Sequence, residues 1–144
     1  MMRSIAALGL VLLLAACSGV RISGNALRSD LPPVQLTAVE ARSFPTADKT
    51  AVIRAVAATM LEAGFVLDRV DPGGKLWGSA ETDVFSFKVV ATVTPRGAGT
   101  TVVRFVTDKG YGDDIIEVDD PKFYEDKFFK PLAENLRLPA GPAT

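Results

Sequence analysis

Histidine is absent from the chain, and cysteine occurs once, at Cys17. The first absence removes the commonest general base and the commonest transition-metal ligand. The second leaves no partner for an intramolecular disulfide, so packing alone must hold the fold. No Ser-x-x-Lys stands after Cys17, which removes serine hydrolysis with lysine as base, and no glycine-rich stretch has phosphate-loop spacing. Neither sign of charge dominates, since 16 Lys and Arg oppose 17 Asp and Glu for a net charge of −1. That balance speaks against nucleic acid as a partner, because phosphate binding needs clustered cations. With imidazole and free thiol gone, the chemistry left to an enzyme would be that of carboxylates.

What is present begins with an apolar run. Met1 to Ser4 carry one positive charge on Arg3, and Ile5 to Ala16 follow without a charge or a proline. The run is too short for a bilayer core of roughly 30 Å, which needs ~20 residues, and it fits the apolar region of a secretory signal. It ends in Leu14-Ala15-Ala16-Cys17-Ser18, which resembles the lipobox of bacterial lipoproteins. Small residues let the backbone enter a peptidase site extended, and the Cys17 thiol can become a thioether to diacylglycerol. The resemblance implies cleavage before Cys17 and acylation of the new amine. Several acyl chains at about 0.8 kcal/mol per buried CH₂ make a stable anchor. Ser18 stands where Asp would retain such a protein at the inner membrane, so the resemblance favours the outer membrane, periplasmic face.

Residues 17–33 are polar, with Gly19, Gly24, Pro32 and Pro33, and read as a lipidated tether reaching roughly 20–25 Å. Residues 34–137 read as one domain. Val34, Leu36 and Val39 alternate with polar neighbours and predict a first strand ending near Phe44. Thr46 is placed to cap a helix, and Val52, Ile53, Val56, Ala57, Met60 and Leu61 form its apolar stripe, with Arg54, Thr59 and Glu62 falling away. Gly64 stands where a left-handed C-terminal cap is expected. Strands follow over 65–69, 75–82, 84–94 and 100–107, joined by an Asp71-Pro72-Gly73-Gly74 turn and a Pro95 to Gly99 hairpin loop. Residues 109–119 read as an acidic loop. Asp120 caps a second helix with Pro121 at its first position. There Tyr124, Phe128, Leu132 and Leu136 share a face that Phe129 broadens, and Pro131 should kink or split it. Residues 138–144 read as a frayed tail. The expectation is an α+β domain in β-α-β-β-β-α order: an antiparallel sheet of four to five strands with two helices packed on one face.

Phe44-Pro45-Thr46-Ala47-Asp48, Leu61-Glu62-Ala63-Gly64-Phe65 and Asp120-Pro121 with Tyr124, Phe128, Phe129 and Leu132 together resemble a family of small bacterial lipoproteins. The layout is also similar to the compact α+β domains of the C-type lipoprotein in the outer-membrane β-barrel assembly machinery. These motifs are caps, turns and core positions. They imply a fold and carry no catalytic residue across.

No catalytic residue, metal ligand set or cofactor is expected. Asp113, Asp114, Glu117, Asp119 and Asp120 form the only acid cluster in the sequence with the residue types for a carboxylate hydrolase of the cell wall, or for a Ca²⁺ ion. It reads more simply as a solvated loop leading to a helix cap. Trp77, Asp113, Asp114 and Glu117 are the candidate binding residues, because aromatics are enriched where proteins bind. Three readings follow. One is a non-catalytic envelope accessory that binds another envelope protein. The second is a carrier or sensor of a small apolar ligand among Phe85, Phe87, Phe105 and Phe128. The third is the carboxylate hydrolase. Lipidation at Cys17 is checked by Cys17→Ala, which should leave an uncleaved or soluble precursor on membrane fractionation. Normal cleavage and membrane retention of that variant would remove the anchor.

Overall fold

The computed structural model describes residues 26–27 and 33–143. Its elements run β1 (Ala26–Leu27), α1 (Pro33–Glu40), β2 (Ala41–Phe44), α2 (Lys49–Glu62), β3 (Val66–Asp71), β4 (Lys75–Glu81), β5 (Ser86–Arg96), β6 (Thr100–Tyr111) and β7 (Asp114–Glu117), then α3 (Pro121–Tyr124), a π-helical segment (Glu125–Phe129), α4 (Lys130–Leu136) and β8 (Gly141–Pro142). The class is the expected α+β one. Among the described residues the sheet has eight strands, more than the four to five expected, and every pairing is antiparallel except that of β1 with β7.

Strands β3 to β6 form a meander, and one edge of β6 is shared. β2 pairs with its first half, from Ala41↔Arg104 to Phe44↔Thr101, while β7 pairs with its second, from Asp108↔Glu117 to Tyr111↔Asp114. The sheet therefore forks there. β8 extends the β2 arm and β1 the β7 arm.

Alternation decides the faces. Leu76, Val89, Ala91, Val93, Val103 and Phe105 point to the core, where they meet Val52, Val56 and Met60 of α2 and Tyr124, Phe128, Phe129 and Leu132 of the last helical stretch. Lys75, Trp77, Lys88, Thr94 and Arg104 point the other way, and all but the half-buried Trp77 are exposed.

The most secure expected element, α2, starts where a carboxylate can take up free amides. Asp48, and not Thr46, is its N-cap, accepting from Ala51 N–H at 2.9 Å. Thr46 Oγ1 instead accepts from the Asp48 N–H at 3.1 Å, which fixes the capping residue. Thr59 was expected to face away, yet it is fully buried, and Asn135 Nδ2 donates to its hydroxyl at 3.0 Å. Leu61, expected on the stripe, is 55% exposed. Gly64 closes the helix with φ +91°. The Asp71-to-Gly74 turn forms as read, with Gly74 N–H donating to Asp71 O at 2.9 Å.

Four expectations are corrected. The segment before Phe44 is mostly helix. Pro33 supplies a preset φ at its first position, and Leu36, Val39 and Glu40 then share a face at helical spacing. Arg42 closes it, donating to the carbonyls of Ala38 at 2.7 Å and Ala41 at 2.8 Å. The acidic loop is a hairpin, because β6 runs on to Tyr111 and Gly112 (φ +57°) turns the chain into β7. Ile115 and Ile116 do not pack inward and stay over 40% exposed, whereas Val118 does pack against the core. The tail is not free, since Gly141 and Pro142 pair with β2 and Ser43 Oγ donates to Pro142 O at 2.8 Å. Part of the expected tether is also structured, as β1 and the start of α1.

Pro131 does disturb the last helix. Lys130 N–H donates to Glu125 O, five residues back, so a widened turn stands just before the proline.

Gly64 offers a clean test, because an added Cβ there meets nothing within 4 Å and only backbone strain is read. Gly64→Val should cost about 1–2 kcal/mol in chemical denaturation, and Gly64→Asn less, since Asn tolerates the left-handed region. Equal stability of all three proteins would contradict a left-handed cap.

Candidate functional site

α2 and the helical stretch over 121–136 cover one face of the sheet, while on the other Lys75, Lys88, Thr94 and Arg104 are exposed and α1 contributes Thr37 beside the β2 arm. Register lines up Arg69, Trp77, Val90 and Val106 across β3, β4, β5 and β6. Trp77 sits half-buried in that row with two cations on its ring, the Arg69 guanidinium at 4.6 Å and Lys75 Nζ at 5.2 Å from the centroid. A bulge between Leu67 and Arg69 lies beside it in β3, which is the outermost strand at that end of the meander. Bulges and charges of this kind discourage edge-to-edge pairing.

The acidic candidates are brought into one hairpin but not into one site. Asp113 lies in the turn, and Asp114 and Glu117 close the two ends of β7. Three positions apart on an extended strand, Asp114 and Glu117 face opposite ways, with backbones roughly 10 Å apart. Asp120 caps α3, accepting from Lys122 N–H at 2.9 Å. Among the described residues no three acids converge as a cation would require. Cys17 lies outside the described residues.

The rings named for an apolar carrier divide. Phe105 and Phe128 stack at 4.4 Å and 12° in the core with no exposure. Phe85 packs on Tyr111 at 5.7 Å under Lys109 Nζ, which stands 3.6 Å from its centroid. Phe87 instead lines a recess of about 290 Å³ with Phe65, Phe123 and the Ala63-Gly64 corner.

Sequence reasoning missed Glu40. It lies at the last position of α1, where the fork between β2 and β7 opens, and its side chain has no exposure. Its Oε2 accepts from Arg104 Nε at 2.9 Å and Nη2 at 2.6 Å, while Oε1 has no partner among the described residues. Burial pushes the Glu40 carboxyl above its usual range; Arg104 opposes that shift, and Glu117 nearby adds to it. Tyr124 braces the same junction, accepting from Thr107 N–H at 3.0 Å and donating to Val118 O at 3.0 Å. Burial, with the two glutamates close by, also raises the Tyr124 hydroxyl pKa. Glu40 and Arg104 are 64 residues apart in sequence, and only the Ala41↔Arg104 register brings them together, so no local pattern could have revealed the pair. A carboxyl with no exposure cannot reach a substrate, whatever its pKa.

No protein-family model matches this chain, and a search of curated proteins returns no match.

Because the folded pKa of Glu40 lies above its unfolded value, the native state holds the extra proton between the two. Glu40 therefore favours the fold at low pH and loses that contribution as pH rises through its folded pKa. Glu40→Gln removes this titration. The melting temperature of the variant minus that of the parent should be more positive at pH 7.5 than at pH 4.5. A difference that does not change with pH, or that falls, contradicts the raised pKa.

Proposed function

We propose that this protein is a lipid-anchored, non-catalytic binding protein of the cell envelope. It is held through Cys17 on the periplasmic face of the outer membrane and binds an acidic surface of another envelope protein around Trp77. The observation that carries the reading is the open sheet face, where an aromatic ring is flanked by Arg69 and Lys75 instead of being covered by a helix. Buried aromatics with neighbouring arginine are the usual anchors of protein interfaces, and the two cations set the sign of the complementary surface. The missing histidine and thiol chemistry, with acids spread along one hairpin, supports a binding role over hydrolysis. Among the described residues no helix is long and apolar enough to cross a membrane, which leaves the lipid as the attachment in this reading.

A photo-crosslinking amino acid placed at Trp77 in intact cells tests it, with the same label at Arg54 on the exposed side of α2 as control. Position 77 should give a discrete adduct that position 54 does not, and Arg69→Glu with Lys75→Glu should abolish it. Equal labelling from both positions, or an adduct indifferent to the charge reversal, would sink the proposal.

A further inference from the structure

On the same open face, toward the β2 arm, lies a groove of about 320 Å³ whose floor and walls include Thr92, Thr94, Arg96, Val102, Arg104 and Thr37. From this groove we infer a binding site for a small hydroxylated oxyanion, a molecule carrying a carboxylate or phosphate group, gripped by Arg96 and Arg104 with the threonine hydroxyls of β5 beside them. The inference does not depend on the docking of a protein at Trp77.

The arrangement follows from strand periodicity. Thr92, Thr94 and Arg96 are alternate residues of β5 and share its outer face, and Arg104 stands directly across from Thr92 on β6. Neither threonine hydroxyl nor the Arg96 guanidinium is engaged by a described residue. Arg104 is held on one edge only. Nε and Nη2 bind Glu40 Oε2, Nη1 has no partner among the described residues, and the side chain is 44% exposed where it lines the groove.

A carboxylate with no exposure behind a guanidinium that faces an open groove is the arrangement that pre-orients an anion-binding arginine. The rear edge is fixed, so the front edge loses little freedom when it meets an oxyanion. Neutralisation by Glu40 does not cancel the site, since Arg96 contributes a second charge that no described residue pairs. The volume lies at the lower end for small-molecule sites. Hydroxyls and guanidinium N–H groups set beside the small apolar walls of Ala41, Val102 and Ala143 suit an oxyanion whose carbon skeleton rests on those walls.

Titration of the full-length chain in non-ionic detergent, followed by backbone amide NMR, tests the site with inorganic phosphate and with glucuronate at matched chloride. Saturable shifts for either probe, centred on Thr92, Thr94, Val102 and Arg104, are expected. Arg96→Gln should weaken that binding about tenfold or more, as befits loss of one charge-assisted contact. Its melting temperature should not move, because Arg96 is exposed and has no described partner. Thr94→Val should weaken binding less while keeping the charge. Absence of a saturable shift for both probes overturns the site. So does saturation whose shifts lie elsewhere, or an Arg96→Gln protein that binds as the parent does.

Discussion

Phe128 lies flat on Phe105, and around that pair stand Phe65 at 5.7 Å, Phe123 at 5.8 Å and Tyr124 at 6.1 Å. One ring stack thus joins the longest strand of the sheet to the helical stretch that covers it. With a single cysteine, nothing covalent backs that contact, so the aromatic cluster does what a disulfide does in many small exported domains. Removing either ring would open a cavity in that cluster, a loss of about 3–5 kcal/mol against a total of roughly 5–15 for a domain of this kind.

The stack depends in turn on a helix that is not regular. Phe128 and Phe129 are consecutive and both fully buried, whereas in an α-helix neighbours diverge by about 100° and one of them would tend to swing away. The widened turn over Glu125–Phe129 relaxes that constraint, and Pro131 fits with it. Proline has no N–H and crowds the carbonyl four residues back, so the ladder is already interrupted where the turn opens. Phe129 is then free to meet Arg42, whose guanidinium lies 4.7 Å from the ring centroid while it also closes α1. Helix, β2 arm and core are thereby locked on one side.

How much of this was legible in sequence follows the range of the interactions. Local chemistry read well: Gly64, the Asp71-Pro72-Gly73-Gly74 turn, the Asp120-Pro121 helix start and the alternation of β5 and β6 each act within a few residues. The capping of α2 slipped by two residues because Thr46 and Asp48 are both competent and cooperate. Val34 to Glu40 reads as strand because three apolar residues at spacings of two and three satisfy either period, and Pro33 ends a Pro-Pro pair that reads as tether as readily as a helix start. Of the candidate site residues, Trp77 lies half-buried on the outer sheet face, and the acids do not converge. Glu40 was beyond reach, since its partner is chosen by strand register across 64 residues.

Glu40 also raises the question of why a charge is buried in a domain held only by packing. Taking a carboxylate out of water costs several kcal/mol, and a buried pair of this kind is often no more stabilising than an apolar residue of the same size. Its value therefore has to lie in what an apolar residue could not do. One part is register: a slip of β2 by one residue would carry Ala41 off Arg104 and separate the carboxylate from its only cation among the described residues, which disfavours every alternative pairing at the fork. The other part is direction, because an oxygen that accepts from both Nε and Nη2 aims the rest of the guanidinium across the outer face, which no apolar residue does. Register and aim come from the same two hydrogen bonds, so the fork that makes the sheet asymmetric also sets its outer groove.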